Sequence, residues 1–297
     1  MAGLLTKARS DWWPVDKILL AYFGGATLLQ LLYWERLPDP WILLAVHLAG
    51  GLLIALMARH PFNRILNFLH YWYPLPYVFF CYREMGILIP AVRTTNADAW
   101  LAEVDFAIWG AHPTVWLERF RSPFLVEALV IIYSGFVPIV LIVAFLLWEK
   151  RQFHDFRYYA FLIALGFLTS YVGYLLVPAR GPRFLLQRLQ TYDLEGLWLF
   201  HWLTATLDRI ESAHYDCFPS GHTEMTILAW WGTRTISLNL FRMMFVYTVG
   251  VVFATVYLRY HYTVDVLAGA ILAGGLIVMA PRIYRALGGQ GKRLPGG

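Results

Sequence analysis

Charge is what this sequence has least of. Only 14% of its 297 residues are charged, against 59% hydrophobic, and the mean hydropathy is +0.53. Such a chain has too few polar side chains to coat a soluble globule, so most of its helices are expected to face lipid. Cysteine is nearly missing too. Cys81 falls in an apolar segment and Cys217 in a loop, and a disulfide between them would have to cross much of a bilayer, so two thiols are expected. No zinc-type ligand pair occurs. His201, His214, Asp216 and His222 have a spacing that matches no familiar metal pattern, so neither a metal nor a cofactor is expected. The net charge of +5 is small and calls for no nucleic-acid partner. There is no internal repeat and no soluble second domain.

Aromatic residues and apolar runs fill the chain instead. Its 13 Trp, 18 Tyr and 20 Phe suit membrane interfaces. Apolar runs at 18–33, 41–58, 74–92, 124–148, 158–177, 221–236, 240–258 and 264–280 each come near the ~20 residues that a bilayer requires. The fold expected is all-α, a polytopic transmembrane helical bundle of about eight spans. The first run lacks a small-residue cleavage pattern and reads as a span, not a removed signal peptide. Segments 59–73 and 94–122 read as interfacial, the latter with Trp100, Trp109 and Trp116. The loop 178–219, with Trp198 and Trp202, reads as an interface anchor. Three regions result: a leader with two spans and an interfacial segment (1–73), a core (74–281) and a basic, Gly-rich tail (282–297).

Segment 74–92 carries Arg83 and Glu84 near its centre, where a charge costs roughly 2.5–3.5 kcal/mol on insertion scales. A place beside the substrate's polar path and plain structural pairing both remain open for them. Glu127, one turn inside its span, is equally open. Glu224 follows His222 by two and faces elsewhere, so no catalytic role is expected of it.

Three stretches carry chemistry. In Cys217-Phe218-Pro219-Ser220-Gly221-His222-Thr223, Pro219 ends what precedes it and Ser220 is a good N-cap, so a helix is expected to start there. The free amides of Gly221, His222 and Thr223 would then make an anion site. In Arg259-Tyr260-His261-Tyr262-Thr263-Val264-Asp265, His261 and Asp265 stand four apart, which on a helix puts imidazole and carboxylate on one face. In Pro178-Ala179-Arg180-Gly181-Pro182-Arg183, two guanidiniums sit beside a turn. Two histidines, one carboxylate and several arginines suit phosphoryl transfer through a phosphohistidine. Each feature also has a plain structural reading, a capped helix or a solvated turn. Their coincidence in so apolar a chain favours chemistry.

Threading the chain through about eight spans gathers Lys7, Arg9, Lys17, Arg59, Arg64, Lys150, Arg151, Arg157, Arg234, Arg242, Arg282, Arg285, Lys292 and Arg293 on the side holding both termini. That side is expected to be cytoplasmic. Arg180, His222 and His261 all fall on the extracytoplasmic face.

Pro219-Ser220-Gly221-His222 followed by His261-x-x-x-Asp265 resembles the second and third signatures of the type 2 phosphatidic acid phosphatase superfamily, over roughly residues 125–280. The resemblance implies a six-helix phosphatase-like core. It makes His261 the nucleophile, Asp265 its orienting partner and His222 the acid that protonates the leaving oxygen. It also makes Ser220 and the amide of Gly221 phosphate ligands, with Arg180 or Arg183 as the first signature's arginine. The family's lysine, seven residues ahead of that arginine, is replaced by Gly173 or Leu176. The third signature's arginine is replaced by Thr255, with Arg259 as its substitute on phosphate. The string His261–Val266 is similar to the branch containing sphingomyelin and inositol phosphorylceramide synthases. The implied partners are a membrane lipid substrate and, for transfer rather than hydrolysis, a second lipid alcohol. The rival reading is a transporter or channel for an anionic or lipid substrate. It lacks a repeat or a broken-helix pair and leaves the His261/Asp265 spacing unexplained.

Overall fold

The computed structural model describes residues 11–60, 62–210 and 215–289. His214, Lys7, Arg9, Lys292 and Arg293, weighed above, lie outside them. In chain order the helices are α1 (Pro14–Leu32), α2 (Pro40–Arg59), α3 (Arg64–Trp72), α4 (Pro74–Val92), α5 (Asp98–Trp109), α6 (Pro113–Trp116), α7 (Pro123–Ser134), α8 (Phe136–Glu149), α9 (Phe153–Leu176), α10 (Pro182–Leu185), α11 (Phe200–Ile210), α12 (Gly221–Gly232), α13 (Leu238–Tyr257) and α14 (Thr263–Ala286). No β-strand occurs among the described residues, so the chain is an all-α polytopic bundle.

Six helices (α1, α2, α4, α9, α13 and α14) are long and apolar enough to cross a bilayer. Helices α7 and α8 add a seventh if they count as one span, bent by 45° around Gly135. The segment 221–236 is different. It forms the 12-residue α12 and a 3-10 turn at Thr233–Thr235, short of the ~20 residues of a span. α12 is instead enclosed by α8, α9, α13 and α14. A short helix sheltered by longer ones can hold its polar N-terminus well inside the bundle, where it needs no lipid-facing surface.

α9 is the central post. Buried residues run right round it, from Phe156 through Ala160, Phe161 and Phe167 to Tyr174, as befits a helix with neighbours on every side. It packs against α1, α3, α4, α8, α12 and α14. The first and last long helices also meet directly, where Lys17 Nζ donates to the carbonyl of Leu287 at 2.6 Å.

Polar groups tie the early helices to this core. Glu84 on α4 is buried and accepts from Gln30 Nε2 at 2.6 Å and Tyr22 at 2.9 Å, with His47 Nε2 at 2.9 Å. Its neighbour Arg83 is exposed. The two adjacent charges therefore part company, and structural pairing is the reading that the contacts support for Glu84. Near the other end of α1, buried Asp16 accepts from the Trp13 amide at 2.7 Å and from Tyr73 at 2.5 Å, and lies 3.0 Å from His70 Nε2. Such pairs stabilise little in net terms, but losing one partner strands a buried charge.

Candidate active site

The expected helix start is present. Ser220 is the N-cap of α12, its hydroxyl accepting from the amide of Thr223 at 3.3 Å. The Ser220 amide in turn donates to the carbonyl of Asp265 at 3.0 Å, which pins the start of α12 to the first turn of α14. Gly269 makes that approach possible, since a Cβ there would stand 2.5 Å from the Ser220 carbonyl oxygen.

His261 and Asp265 also come together, though not as helix neighbours. Tyr262 is the N-cap of α14, so His261 precedes the helix and Asp265 occupies its first turn. His261 Nδ1 lies 2.9 Å from the carbonyl oxygen of Cys217 and 3.6 Å from Asp265 Oδ2. A carbonyl can only accept, so Nδ1 carries a hydrogen, and in the neutral ring Nε2 then holds the lone pair. Asp265 is fully buried. Its Oδ2 accepts from the amide of Tyr262 and from the thiol of Cys217, each at 2.8 Å. Burial, with Asp265 beside it, holds the Cys217 thiol well above its ordinary pKa, so the sulfur keeps its hydrogen and donates it.

His222, half-buried on α12, faces His261 with ring centroids 5.7 Å apart. Tyr133 stacks on it at 4.3 Å and Phe136 leans on it at 4.7 Å. Tyr260 stacks on the same Tyr133 at 4.4 Å. The aromatic wall thus joins both histidine segments and fixes the plane of the His222 ring. Glu224 points away, accepting from Thr169 at 3.0 Å and from Ser170 on α9.

The three arginines separate. Arg180 is exposed, with its guanidinium 4.2 Å over Phe184. Arg183 bonds Asp208 at 2.9 Å and lies 4.8 Å over Tyr260. Arg259, in the left-handed region at φ 66°, sends its guanidinium to Glu118 at 2.9 Å and to Gln190 and the carbonyl of Tyr192 at 3.0 Å. Expected on phosphate, it is engaged in the loop packing instead. A cavity of about 220 Å³ opens here among Arg183, Gln190, Asp193, Asp208, Arg259 and Tyr260.

Two carboxylates that the sequence reading passed over organise this end of the bundle, and both sit on α5. Asp98 accepts from the amides of Arg180 (2.9 Å) and Gly181 (2.8 Å) and from the hydroxyl of Tyr262 (3.2 Å). Gly181 has φ 101°, which a side chain would strain. Asp105 accepts from the amides of Thr263 and Val264, each at 2.9 Å, and so caps α14 from another helix. The seven-residue interval between them puts both on one face, which was their only mark in the sequence. Glu127 on α7 acts likewise, accepting from the amides of Leu197 (2.8 Å) and Leu199 (2.6 Å) just ahead of α11. Tyr82 on α4 donates to Asp216 at 2.6 Å, one residue before Cys217. His201, once weighed as a ligand, is exposed.

A family model, that of the PAP2 superfamily, matches residues 99–279, more than half of the chain. No curated protein and no solved structure matches.

Proposed function

Because the chain belongs to the PAP2 superfamily, and so is a membrane phosphatase or phosphotransferase in general kind, we propose that it acts on a lipid phosphate ester through a phosphohistidine at His261. The observation that carries this reading is the hydrogen bond from His261 Nδ1 to the Cys217 carbonyl. It leaves Nε2 unprotonated and ready to attack phosphorus, with Asp265 nearby to stabilise the cationic phosphoimidazole that forms. His222 protonates the leaving oxygen, since a lipid alkoxide departs poorly without a proton. The helix start at Ser220–Gly221 and the guanidinium of Arg180 take the charge on the non-bridging oxygens. Arg183 assists from its place over Tyr260. Arg259 serves by holding the turn that precedes His261 and does not touch phosphate. The residues assigned to the reaction need no metal.

Water or a lipid alcohol then resolves the phosphoenzyme, giving hydrolysis or headgroup transfer as in inositol phosphorylceramide synthases. The site faces the extracytoplasmic side and both termini lie in the cytoplasm, on the reading that α12 and the turn after it carry the chain back through the bundle between α9 and α13. The lipid tails stay in hydrocarbon while the ester reaches the polar end of the bundle.

The test is to incubate purified protein in detergent and EDTA with a radiolabelled lipid phosphate and quench it in alkali. An acid-labile, alkali-stable phosphoprotein is expected, absent in His261→Ala. Turnover by His261→Ala at the normal rate would refute the mechanism. Movement of substrate across a vesicle membrane without any cleavage would favour a transporter.

A further inference from the structure

We propose that Cys217 Sγ, His261 Nδ1 and Asp265 Oδ2 form a binding site for a thiophilic divalent cation, Zn²⁺ or Cd²⁺, whose occupancy shuts off the histidine. The three atoms lie 2.8 Å (Sγ to Oδ2), 3.6 Å (Nδ1 to Oδ2) and 3.7 Å (Sγ to Nδ1) apart. The point equidistant from all three is about 2 Å from each, close to the bond lengths that zinc makes with nitrogen and oxygen. Zinc to sulfur is a little longer, so the ion sits slightly out of that plane and the carboxylate swings aside by less than about 1 Å. A second observation points to a ligand. Asp265 Oδ1 is buried and has no hydrogen-bond partner, so this carboxylate has unused acceptor capacity in a place water does not reach.

Charge favours a divalent ion. A thiolate and a carboxylate together carry two negative charges, and an ion of +2 makes the buried set neutral. Thiolate and imidazole select zinc and cadmium over magnesium and calcium, which prefer all-oxygen sites. Among the described residues no other group of three such side chains converges in this way.

Loading rearranges protons as well as bonds. The thiol hydrogen that Asp265 now accepts leaves to solvent, and the sulfur binds the ion as thiolate. His261 gives up its bond to the Cys217 carbonyl, and its one ring hydrogen passes from Nδ1 to Nε2. The sum is one cation bound and one proton released, with no change in oxidation state. With Nδ1 on the metal and hydrogen on Nε2, the ring has no lone pair for phosphorus. The ion silences the site from behind, without occupying the face where substrate would bind.

Occupancy rests on the three atoms alone, whereas inhibition rests also on the reading of His261 as nucleophile. The experiment separates them. EDTA-stripped protein in detergent is titrated with Cd²⁺, following the sulfur-to-cadmium charge-transfer absorption in the ultraviolet. One equivalent is expected to produce the band, which Zn²⁺ abolishes by displacement and Mg²⁺ leaves intact. Cys217→Ala should lose the band, whereas Cys81→Ala, which changes the buried thiol on α4, should keep it. No band in the wild type, or a band lost in Cys81→Ala and kept in Cys217→Ala, overturns the site. In parallel, Zn²⁺ should lower kcat for phosphate release at least tenfold with KM unmoved, and excess EDTA should restore it. A full band with undiminished turnover would uphold the ion site and overturn His261 as the nucleophile.

Discussion

Asp105 and Thr263 are joined twice. The carboxylate takes both the amide of Thr263, at 2.9 Å, and its hydroxyl, at 2.7 Å. The helix that supplies Asp265 is therefore capped by a residue from α5, and not by its own N-cap side chain. Asp105→Ala should leave two α14 amides without partners, at about 1–3 kcal/mol each. The melting temperature in detergent should fall, and kcat should fall with it because His261 and Asp265 lose their mutual register. Asp105→Asn, which keeps an acceptor, should recover much of the stability. A variant Asp105→Ala with unchanged melting and rate would show that α14 is held by other means.

His222 and His261 should part by leaving group. An aryl phosphate leaves well without a proton, so His222→Ala is expected to lose far more activity on a lipid phosphate than on a nitrophenyl ester. His261→Ala should lose both alike. Chemistry must limit each rate, which a pre-steady-state burst would reveal. Equal losses on both esters for His222→Ala would make that residue a phosphate ligand instead of an acid.

The orientation can be read by labelling. Gln187 is exposed in the loop beside Arg183, and both native cysteines are buried, so background is low. Gln187→Cys in intact cells should react with a membrane-impermeant maleimide added from outside. Labelling only after lysis would place the site in the cytoplasm.

The cluster around Glu84 predicts a stability phenotype without a catalytic one. His47→Ala takes a buried ring away from beside a buried carboxylate that keeps Gln30 and Tyr22, and a loss on the order of 1–3 kcal/mol is expected. The yield of folded protein and its melting temperature should drop, while the rate per folded molecule stays near normal. A selective loss of kcat with intact stability would mean that Glu84 works on the substrate after all.

Local signals were legible in the sequence, and long-range ones were not. Pro219-Ser220-Gly221 specified a helix start because capping depends on residues three apart. His261 and Asp265 were close for a reason the spacing only half captured, since Tyr262 starts the helix between them. Asp98 and Asp105 looked like the wet side of a surface helix. Their partners are backbone amides of residues 180–181 and 263–264, and an amide leaves no trace in a residue's identity. Arg259 shows the converse case. A cation two residues before His261 suggests phosphate, yet its guanidinium is held by Glu118, 141 positions earlier. Hydropathy could not mark α12 as the short helix among the expected runs, because a helix buried among helices is as apolar as one in lipid.

The parts of the site are strewn from Asp98 on α5 to Asp265 on α14, and Lys17 waits for the carbonyl of Leu287. This order has a consequence for biogenesis. While the ribosome is still feeding the chain into the membrane, α12 already presents Ser220 and His222, with Tyr133 and Phe136 against the His222 ring but no second histidine opposite it. His261, Asp265 and the clasp between first and last helices all arrive with the final long segment. On the proposed mechanism the nascent protein is thus mute until its last helix is in place, and a chain truncated before α14 would leave the phosphate esters around it intact.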